Sequence, residues 1–596
     1  MWPFELLFGE PRWITIARQK QIDCARAVDQ GLALAGSGTS RDLEFLRASA
    51  GAIAEKIRNG EWTAGDVVRA YVRRAAKAHE RFTILTEVRF AEAIREADAL
   101  DAAAPQLRRG RLCGVPVSVK DQFDVKGLDT SIGFSLWVNK PVQDDAALVA
   151  LMKEEGAIVL AKTNIPQTLL AFESTNPIFG RTSNPWNALH SCGGSSGGEG
   201  ALLACDGSAL GIGADIGGSL RIPSFWCGTY TLKPTASRIS NGGVVSSKPG
   251  FEAIKVVAGA MGRTLSDVRL LTEIAFARLP RGSTFDPLPP VPFRSELATI
   301  QPGKKLRLGY YLTDGVIHAS PPVQRAVRQT VDALQAAGHE LVQLDAAEID
   351  MIGAMEAFVG LTSSDGYRGM MQPARDGGEP IIDELFLTTL SPRFPGFVRH
   401  IAAWLVKTVV GDVQFGRNLL ASRIKPVSEY LEFTAGRDKY SRQWTREVWN
   451  KHQLDGIIAP QMAVPAPEHG ATQYVPQMSA ATFLYNVLDY PVGILPVTRV
   501  DPVRDSLAAN PLPPKVGHGN GTMVEHRLYG GSSPVYNAEK MAGLPVGIQV
   551  VGQRWEDEKV LGIMHVVEEA LVVAGREKFG PGTWTEDANH WNNYNA

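Results

Sequence analysis

The sequence lacks the features that mark several common classes of protein. Only five of its 596 residues are cysteine and no CxxC pair occurs, so the odd count favours reduced thiols over a disulfide framework. Its eleven histidines are dispersed and no HExxH motif is present, so we expect no metal site and no cofactor. A net charge of −2 gives no general attraction for nucleic acid, and we expect no such partner.

Long apolar runs are also missing. No stretch approaches the roughly 18–20 apolar residues that a membrane-spanning helix needs. The opening "MWPFELLFGEPRW" has no basic region and is apolar for only eight residues, which does not fit the usual plan of a signal peptide. We therefore expect an intracellular protein, either cytoplasmic or peripheral on an internal membrane.

The sequence does contain an alternation of strand-like and helical stretches. Residues 10–83 have helical periodicity, with Thr63 as an N-cap, and we interpret 1–83 as a helical segment packed on the core. From residue 84 to 596, buried-strand patterns such as "GVPVSVK" and "GIQVVG" alternate with helices such as "PPVQRAVRQTVDALQAAG". This alternation predicts a single large α/β domain with a mostly buried sheet. Residues 499–541, rich in Pro, Gly, Asn and Ser, are predicted to be an inserted loop.

Two glycine–serine clusters lie close together, "SCGGSSGGEGALLAC" from Ser191 and "GADIGGSLRIPSFWCG" from Gly213. Their apolar flanks argue against a flexible linker, and neither has the GxxxxGK[ST] or GxGxxG spacing of a phosphate loop. The segment 194–198 fits the GxSxG nucleophile elbow with Ser196 as nucleophile, but a loop rather than a strand precedes it. The interpretation that uses both clusters is acyl transfer by serines and a lysine.

Together with "GVPVSVKDQFDVKG", these clusters closely resemble the amidase signature family of serine hydrolases, over roughly residues 80–575. The resemblance implies that Ser219 is the nucleophile, Ser195 the bridging serine and Lys120 the general base of a Ser-Ser-Lys triad. It also implies α/β/α layers around a large mixed, twisted sheet, a catalytic domain at 84–596, and a cis peptide bond before Ser195. At Ala214 many members have threonine, a difference that we expect to alter only local hydrogen bonding.

The chemistry accounts for these residue types. A serine hydroxyl needs a base within hydrogen-bonding reach, and lysine is a base only when it is neutral, which burial favours. Lys120 ends an apolar strand, and Ser195 is able to relay a proton from Ser219 to it. The predicted oxyanion hole consists of the backbone N–H groups of Ile216, Gly217, Gly218 and Ser219.

Other polar residues near the clusters are given structural roles. Asp215 and Arg221 flank the predicted nucleophile, and we expect them to hold its turn together. Ser196 is expected to be a structural hydroxyl. Cys192 has no basic residue beside it in the sequence, so we expect a packing residue rather than a nucleophile.

Within the family, "STNPIFGRTSNPWNALHSCGGSSGGEGALL" and "FLYNVLDYPVGILPVT" most resemble fatty-acid amide hydrolases and fungal-type general amidases. This implies an acyl pocket lined by Leu169, Leu170 and Phe172, which otherwise are ordinary core residues. It also implies an amphipathic cap at 391–425. Its apolar helix, 394–410, has a basic fringe and predicts peripheral membrane contact, with an internal helix or a homodimer contact as the alternatives.

These features predict hydrolysis of carboxylic amides through an acyl-enzyme. We expect fatty-acid amides, either N-acylethanolamines or primary fatty amides, to be preferred, and the alternative is a small aliphatic or aryl amide, as for acetamidases. A glutaminase-type subunit that passes ammonia to a partner enzyme is disfavoured by the apolar cap. A non-catalytic scaffold is disfavoured because Lys120, Ser195 and Ser219 are all present.

Overall fold

The computed structural model describes residues 10–285, 287–509 and 523–584, and Leu107 by its backbone alone. The apolar start, 1–9, and the middle of the predicted inserted loop, 510–522, lie outside the described residues. The strands are β1 Leu85–Val88, β2 Pro116–Lys120, β3 Ile158–Thr163, β4 Thr175–Asn176, β5 Gly180–Arg181, β6 Ser183–Asn184, β7 Asn187–Ser191, β8 Leu210–Asp215, β9 Tyr230–Lys233, β10 Val257–Gly262, β11 Arg307–Tyr310, β12 Glu340–Gln343, β13 Gly456–Ala459, β14 Val492–Arg499 and β15 Pro545–Val551.

The α-helices connect and cover these strands. They are α1 Arg12–Ala35, α2 Asp42–Arg47, α3 Ala50–Arg58, α4 Ala64–Phe82, α5 Phe90–Ala102, α6 Ala147–Glu154, α7 Gly197–Ala204, α8 Arg221–Cys227, α9 Leu265–Ala275, α10 Pro321–Ala336, α11 Ala346–Ile349, α12 Met351–Thr362, α13 Arg368–Gly377, α14 Phe386–Leu390, α15 Gly396–Leu405, α16 Val413–Ala421, α17 Val427–Trp444, α18 Ala480–Val487, α19 Met523–Tyr529 and α20 Asp557–Val573. Turns of π-helix at Val406–Val410 and Thr445–Asn450 extend α15 and α17.

Eleven of the strands form one mixed sheet, in the order β1-β3-β2-β8-β10-β9-β14-β15-β13-β11-β12. Strand β2 is parallel to β3 and β8, whereas β8 is antiparallel to β10. At the other end of the sheet β11 is parallel to both β12 and β13. Helices surround the sheet, so the predicted α/β fold with a large mixed sheet is confirmed.

The burial of the central strands explains why their sequences are apolar runs rather than alternating patterns. Every residue of β2, β3, β8 and β15 is buried, as expected of strands that are covered on both faces. In the parallel pair β2–β8, Val117 lies opposite Leu210 and Val119 opposite Ile212. The carboxyl ends of these two strands therefore meet at one edge of the sheet.

The helices before β1 pack on the main hydrophobic core. Thr63 caps α4 by accepting a hydrogen bond from the N–H of Asp66, as the sequence predicted. Phe45, Ile53 and Tyr71 from these helices belong to the same buried cluster as the central strands. The segment thus buries its apolar side against the sheet and its helices.

Part of the predicted inserted loop is helical. Helix α19 lies inside 499–541, with Val524 and Leu528 buried on one face and Glu525 2.5 Å from His318. A seven-residue helix is too short for periodicity to reveal among so many turn-forming residues.

The predicted cap consists of short helices rather than one long one. Helices α14, α15 and α16 follow each other between residues 386 and 421, and the π-helical turn lies between the last two. Within residues 10–285, 287–509 and 523–584, no helix has the length and apolarity required to cross a bilayer.

Candidate active site

The predicted catalytic residues meet where β2 and β8 end. Lys120 Nζ donates to Ser195 Oγ over 2.8 Å and lies 3.4 Å from the carbonyl oxygen of Ala214. The N–H of Ser196 donates to the carbonyl oxygen of Ser219 over 3.2 Å, which joins the two glycine–serine turns. Lys120, Ser195 and Ser219 line one small cavity.

The surroundings of Lys120 suit it for accepting a proton. The side chain is fully buried, and burial lowers the pKa of Lys120 to about 7, although the carboxylates of Asp215 and Glu199 oppose this shift. A large fraction of the amine is therefore neutral near neutral pH. The Gly194–Ser195 peptide bond, which precedes the serine that Lys120 contacts, is cis, in agreement with the family resemblance.

A buried ion pair fixes the turn that carries Ser219. Arg221 donates to both carboxylate oxygens of Asp215 over 3.0 Å, and the N–H groups of Gly218 and Leu220 donate to the same carboxylate. Burial opposes ionisation, but Arg221 nevertheless lowers the pKa of Asp215 far below its ordinary value. The carboxylate stays charged and the turn stays closed around it.

The structure changes the predicted oxyanion hole at one position. The N–H of Gly218 donates to Asp215 over 2.8 Å, so it does not point at a reacting oxygen. Gly218 has φ of 124°, and a side chain there would meet Thr482 Oγ1, so this position requires glycine. Among the described residues, the N–H groups of Ile216, Gly217 and Ser219 have no acceptor.

Glu199 is a charged neighbour of Lys120 that the sequence interpretation missed. It lies in the first turn of α7, fully buried, and accepts hydrogen bonds from Ser118 Oγ and Thr163 Oγ1, each over 2.7 Å. Burial raises the pKa of Glu199 to about 7. One signal was available, because an acidic residue inside the apolar run "GGEGALLAC" has to be paired when it is buried.

The alternative nucleophiles have no activating partner. Ser196 is fully buried, and its hydroxyl has no hydrogen-bonding partner in the described part of the chain. Burial raises the pKa of the Cys192 thiol strongly, and this thiol donates to the backbone oxygens of Thr182 and Gly193. Neither residue is therefore placed as the nucleophile of a Ser-His-Asp site or of a cysteine-based site.

Two cavities meet at Ser219. The larger, about 390 Å³, is lined by Ser219, by Phe358, and by Ala402 and Val406 of the cap. The smaller, about 70 Å³, is lined by Lys120 and Ser195 as well as by Ser219. This arrangement allows the acyl group of a substrate to lie in one cavity and its leaving group in the other.

The residues predicted to contact an acyl chain lie along the larger cavity. Leu169, Leu170 and Phe172 all line it, and Gln167–Leu169 is a turn with non-helical backbone angles rather than an α-helix. Thr168 and Leu169 have φ of 72° and 67°, a conformation uncommon for such side chains. Phe358 and Phe483, stacked 4.1 Å apart, complete the wall, and the sequence interpretation did not identify them.

Comparison with known proteins identifies the family. The model of the amidase family matches residues 66–561. This chain belongs to the amidase signature family. The amidase is 32% identical to fatty-acid amide hydrolase 1 of Sus scrofa, over 88% of its own chain and 86% of that protein. It is also 32% identical to an acetamidase of Aspergillus oryzae, over 89% and 91% of the two chains.

A solved structure of a fatty acid amide hydrolase has the same fold. Its TM-score to the amidase is 0.77 at 25% identity, and the match covers 94% of each chain. The amidase is therefore a hydrolase of amides. The equal identities to a long-chain and a short-chain enzyme leave its substrate to be inferred from the cavity.

Proposed function

We propose that the amidase hydrolyses long-chain acyl amides such as N-acylethanolamines or primary fatty amides. The observation that carries this proposal is the cavity of about 390 Å³ that starts at Ser219. An apolar cavity of roughly 150 Å³ holds benzene, so this one has room for far more than an acetyl group. Each methylene transferred from water to such a wall stabilises the complex by about 0.8 kcal/mol.

The proposed mechanism uses the three residues of the Ser-Ser-Lys triad in sequence. Ser219 Oγ attacks the carbonyl carbon while its proton passes through Ser195 to neutral Lys120. The N–H groups of Ile216, Gly217 and Ser219 stabilise the oxyanion of the tetrahedral intermediate. The proton then returns through Ser195 to the departing amine, and water hydrolyses the acyl-enzyme.

The test compares oleamide with acetamide as substrates. Wild type is expected to have the higher kcat/KM on oleamide, and Ser219→Ala to lose both activities while it keeps its circular dichroism spectrum. Ala402→Trp, which adds bulk to the cap side of the larger cavity, is expected to reduce oleamide turnover more than acetamide turnover. His400→Trp, on the exposed side of the same helix, is the matched control. A wild-type preference for acetamide would assign the enzyme to the small-amide amidases.

We also propose that helix α15 and its π-helical extension contact a membrane surface. Phe397, Trp404 and Val409 are 70%, 61% and 73% exposed. A cluster of exposed large apolar side chains is typical of an interaction surface. On the same segment, Ala402 and Val406 line the larger cavity, so a lipid amide leaving the membrane would enter close to its acyl site.

A further inference from the structure

The wall of the larger cavity contains polar side chains with a buried, unpaired atom. Helix α16 presents Phe415, Asn418 and Leu419 to this cavity. Asn418 is 8% exposed, and its Nδ2 is buried with no hydrogen-bonding partner among the described residues. Gln477, in the same wall, has a buried and unpartnered Oε1. Buried amide groups in folded proteins are paired in the great majority of cases, so these groups point to a ligand.

The position of Asn418 along the cavity follows from the packing of two helices. Gln414 contacts Met355, and seven residues later Ala421 accepts a hydrogen bond from Ser363 Oγ over 3.4 Å. Helices α12 and α16 therefore run side by side in the same direction, with Asn418 level with Val359.

The same register places Asn418 on the path of an acyl chain. Phe358, which precedes Val359, lies against Gly217 in the loop that carries Ser219. Ala402 and Val406 line the cavity from the cap helix, which packs against α16 where Ala403 lies next to Gly416. When the carbonyl group of an acyl amide is at Ser219, the interior carbons of its acyl chain therefore lie beside Asn418.

A plain alkyl chain and a hydroxylated one differ in what they leave unpaired. An alkyl chain offers the N–H groups of Asn418 no acceptor, so they stay buried and unpaired in the complex. A hydroxyl group accepts one hydrogen bond and donates another, so it pairs with the amide of Asn418 or with the oxygen of Gln477.

We propose that Asn418 forms a subsite for a hydroxyl group in the interior of the acyl chain, so that the preferred substrates are amides of hydroxylated fatty acids. This inference rests on the proposed function, because it requires a long acyl chain in the larger cavity. It adds a polar recognition element to a wall that is otherwise mostly apolar.

The test is a positional series of primary amides: dodecanamide and dodecanamides that carry one hydroxyl group at successive carbons. Wild type is expected to show a maximum of kcat/KM at one interior position, about tenfold or more above dodecanamide. Asn418→Leu is expected to abolish that ratio. Asn450→Leu, the same substitution at an exposed position, is expected to keep it.

The outcomes separate this inference from the proposed function. Efficient hydrolysis of dodecanamide with a flat positional series, or a maximum that survives Asn418→Leu, overturns the hydroxyl subsite alone. Turnover of acetamide without turnover of any dodecanamide overturns both. Because a flat wild-type series overturns the hydroxyl subsite without any variant, the test stands even if Asn418→Leu does not fold.

Discussion

At the scale of single residues, reactivity in this amidase is set by burial. Lys120 has its pKa lowered to about 7 because desolvation disfavours the ammonium form, while the thiol of Cys192 is made inert by the same effect. The amine of Lys120 contacts the hydroxyl of Ser195, the predicted bridging serine, over 2.8 Å.

The pH dependence of hydrolysis tests this assignment of Lys120. Below its pKa the amine is protonated and unable to accept a proton from Ser195, and above it the amine is neutral. We therefore expect kcat/KM to rise with pH through a midpoint near 7. Steady-state rates on a neutral amide between roughly pH 6 and 9 measure this. A flat profile would contradict the role of Lys120 as base.

Glu199 provides an independent test of the same electrostatics. Its carboxylate raises the pKa of Lys120, so Glu199→Gln removes a negative charge while keeping a group that accepts from Ser118. The midpoint of the kcat/KM profile is expected to move to lower pH. Glu447→Gln, at an exposed position, is the control and should leave the midpoint in place. An unchanged midpoint in Glu199→Gln would show that this carboxyl is uncharged in the active enzyme.

At the scale of elements, the cap segment has two different sides. Its inner residues Ala402 and Val406 line the larger cavity, whereas Phe397, Trp404 and Val409 face outward. A helix that is apolar on both sides needs an apolar partner outside the protein.

Charging the outer side tests the proposed membrane contact. Phe397→Asp with Val409→Asp is expected to reduce cosedimentation with phosphatidylcholine vesicles several-fold, since each carboxylate resists transfer to the interface. Turnover of acetamide is expected to stay unchanged, because the substitutions do not face the cavity. Val573→Asp, at a position 90% exposed on α20, is the matched control. If vesicle binding were unchanged while a dimer dissociated in light scattering, the surface would be a homodimer contact.

The sequence predicts some elements better than others, for physical reasons. Lys120 and Asp215 could be placed at strand ends because β2 and β8 are short, fully buried apolar runs with a polar residue at the end. Phe358 and Asn418 could not be assigned to the cavity, because helices distant in sequence bring them there and no local pattern distinguishes them from core residues. Which group accepts from the Gly218 N–H could likewise not be predicted, because it depends on how the turn folds around Asp215.

At the scale of the whole molecule, the first helix is tied to the catalytic sheet by buried charge. Lys20 of α1 forms ion pairs with Glu87 of β1 and, at 3.0 Å, with Asp129. The backbone oxygen of Asp129 accepts from Lys162, which in turn lies 3.3 Å from the carboxylate of Asp121, the residue after Lys120. The N-terminal segment thus supplies a positive charge to a mostly acidic, buried network behind the active site.

Removal of that charge by Lys20→Met is expected to destabilise the amidase by about 3–5 kcal/mol, since it leaves buried carboxylates unpaired. Burial raises the pKa of Glu87 from 4.5 to about 7, and loss of Lys20 raises it further. Above about pH 7 the folded wild type has released this proton while the folded variant still holds it, so the deficit relative to wild type grows as the pH rises above about 7. Urea unfolding of wild type and variant at acidic and alkaline pH measures this, and adding Glu87→Gln should recover stability mainly at the higher pH.

The control is Arg18→Met, which breaks an exposed ion pair with Glu10 and is expected to change the stability little. An equal loss at both pH values would show that Lys20 acts by packing rather than by charge.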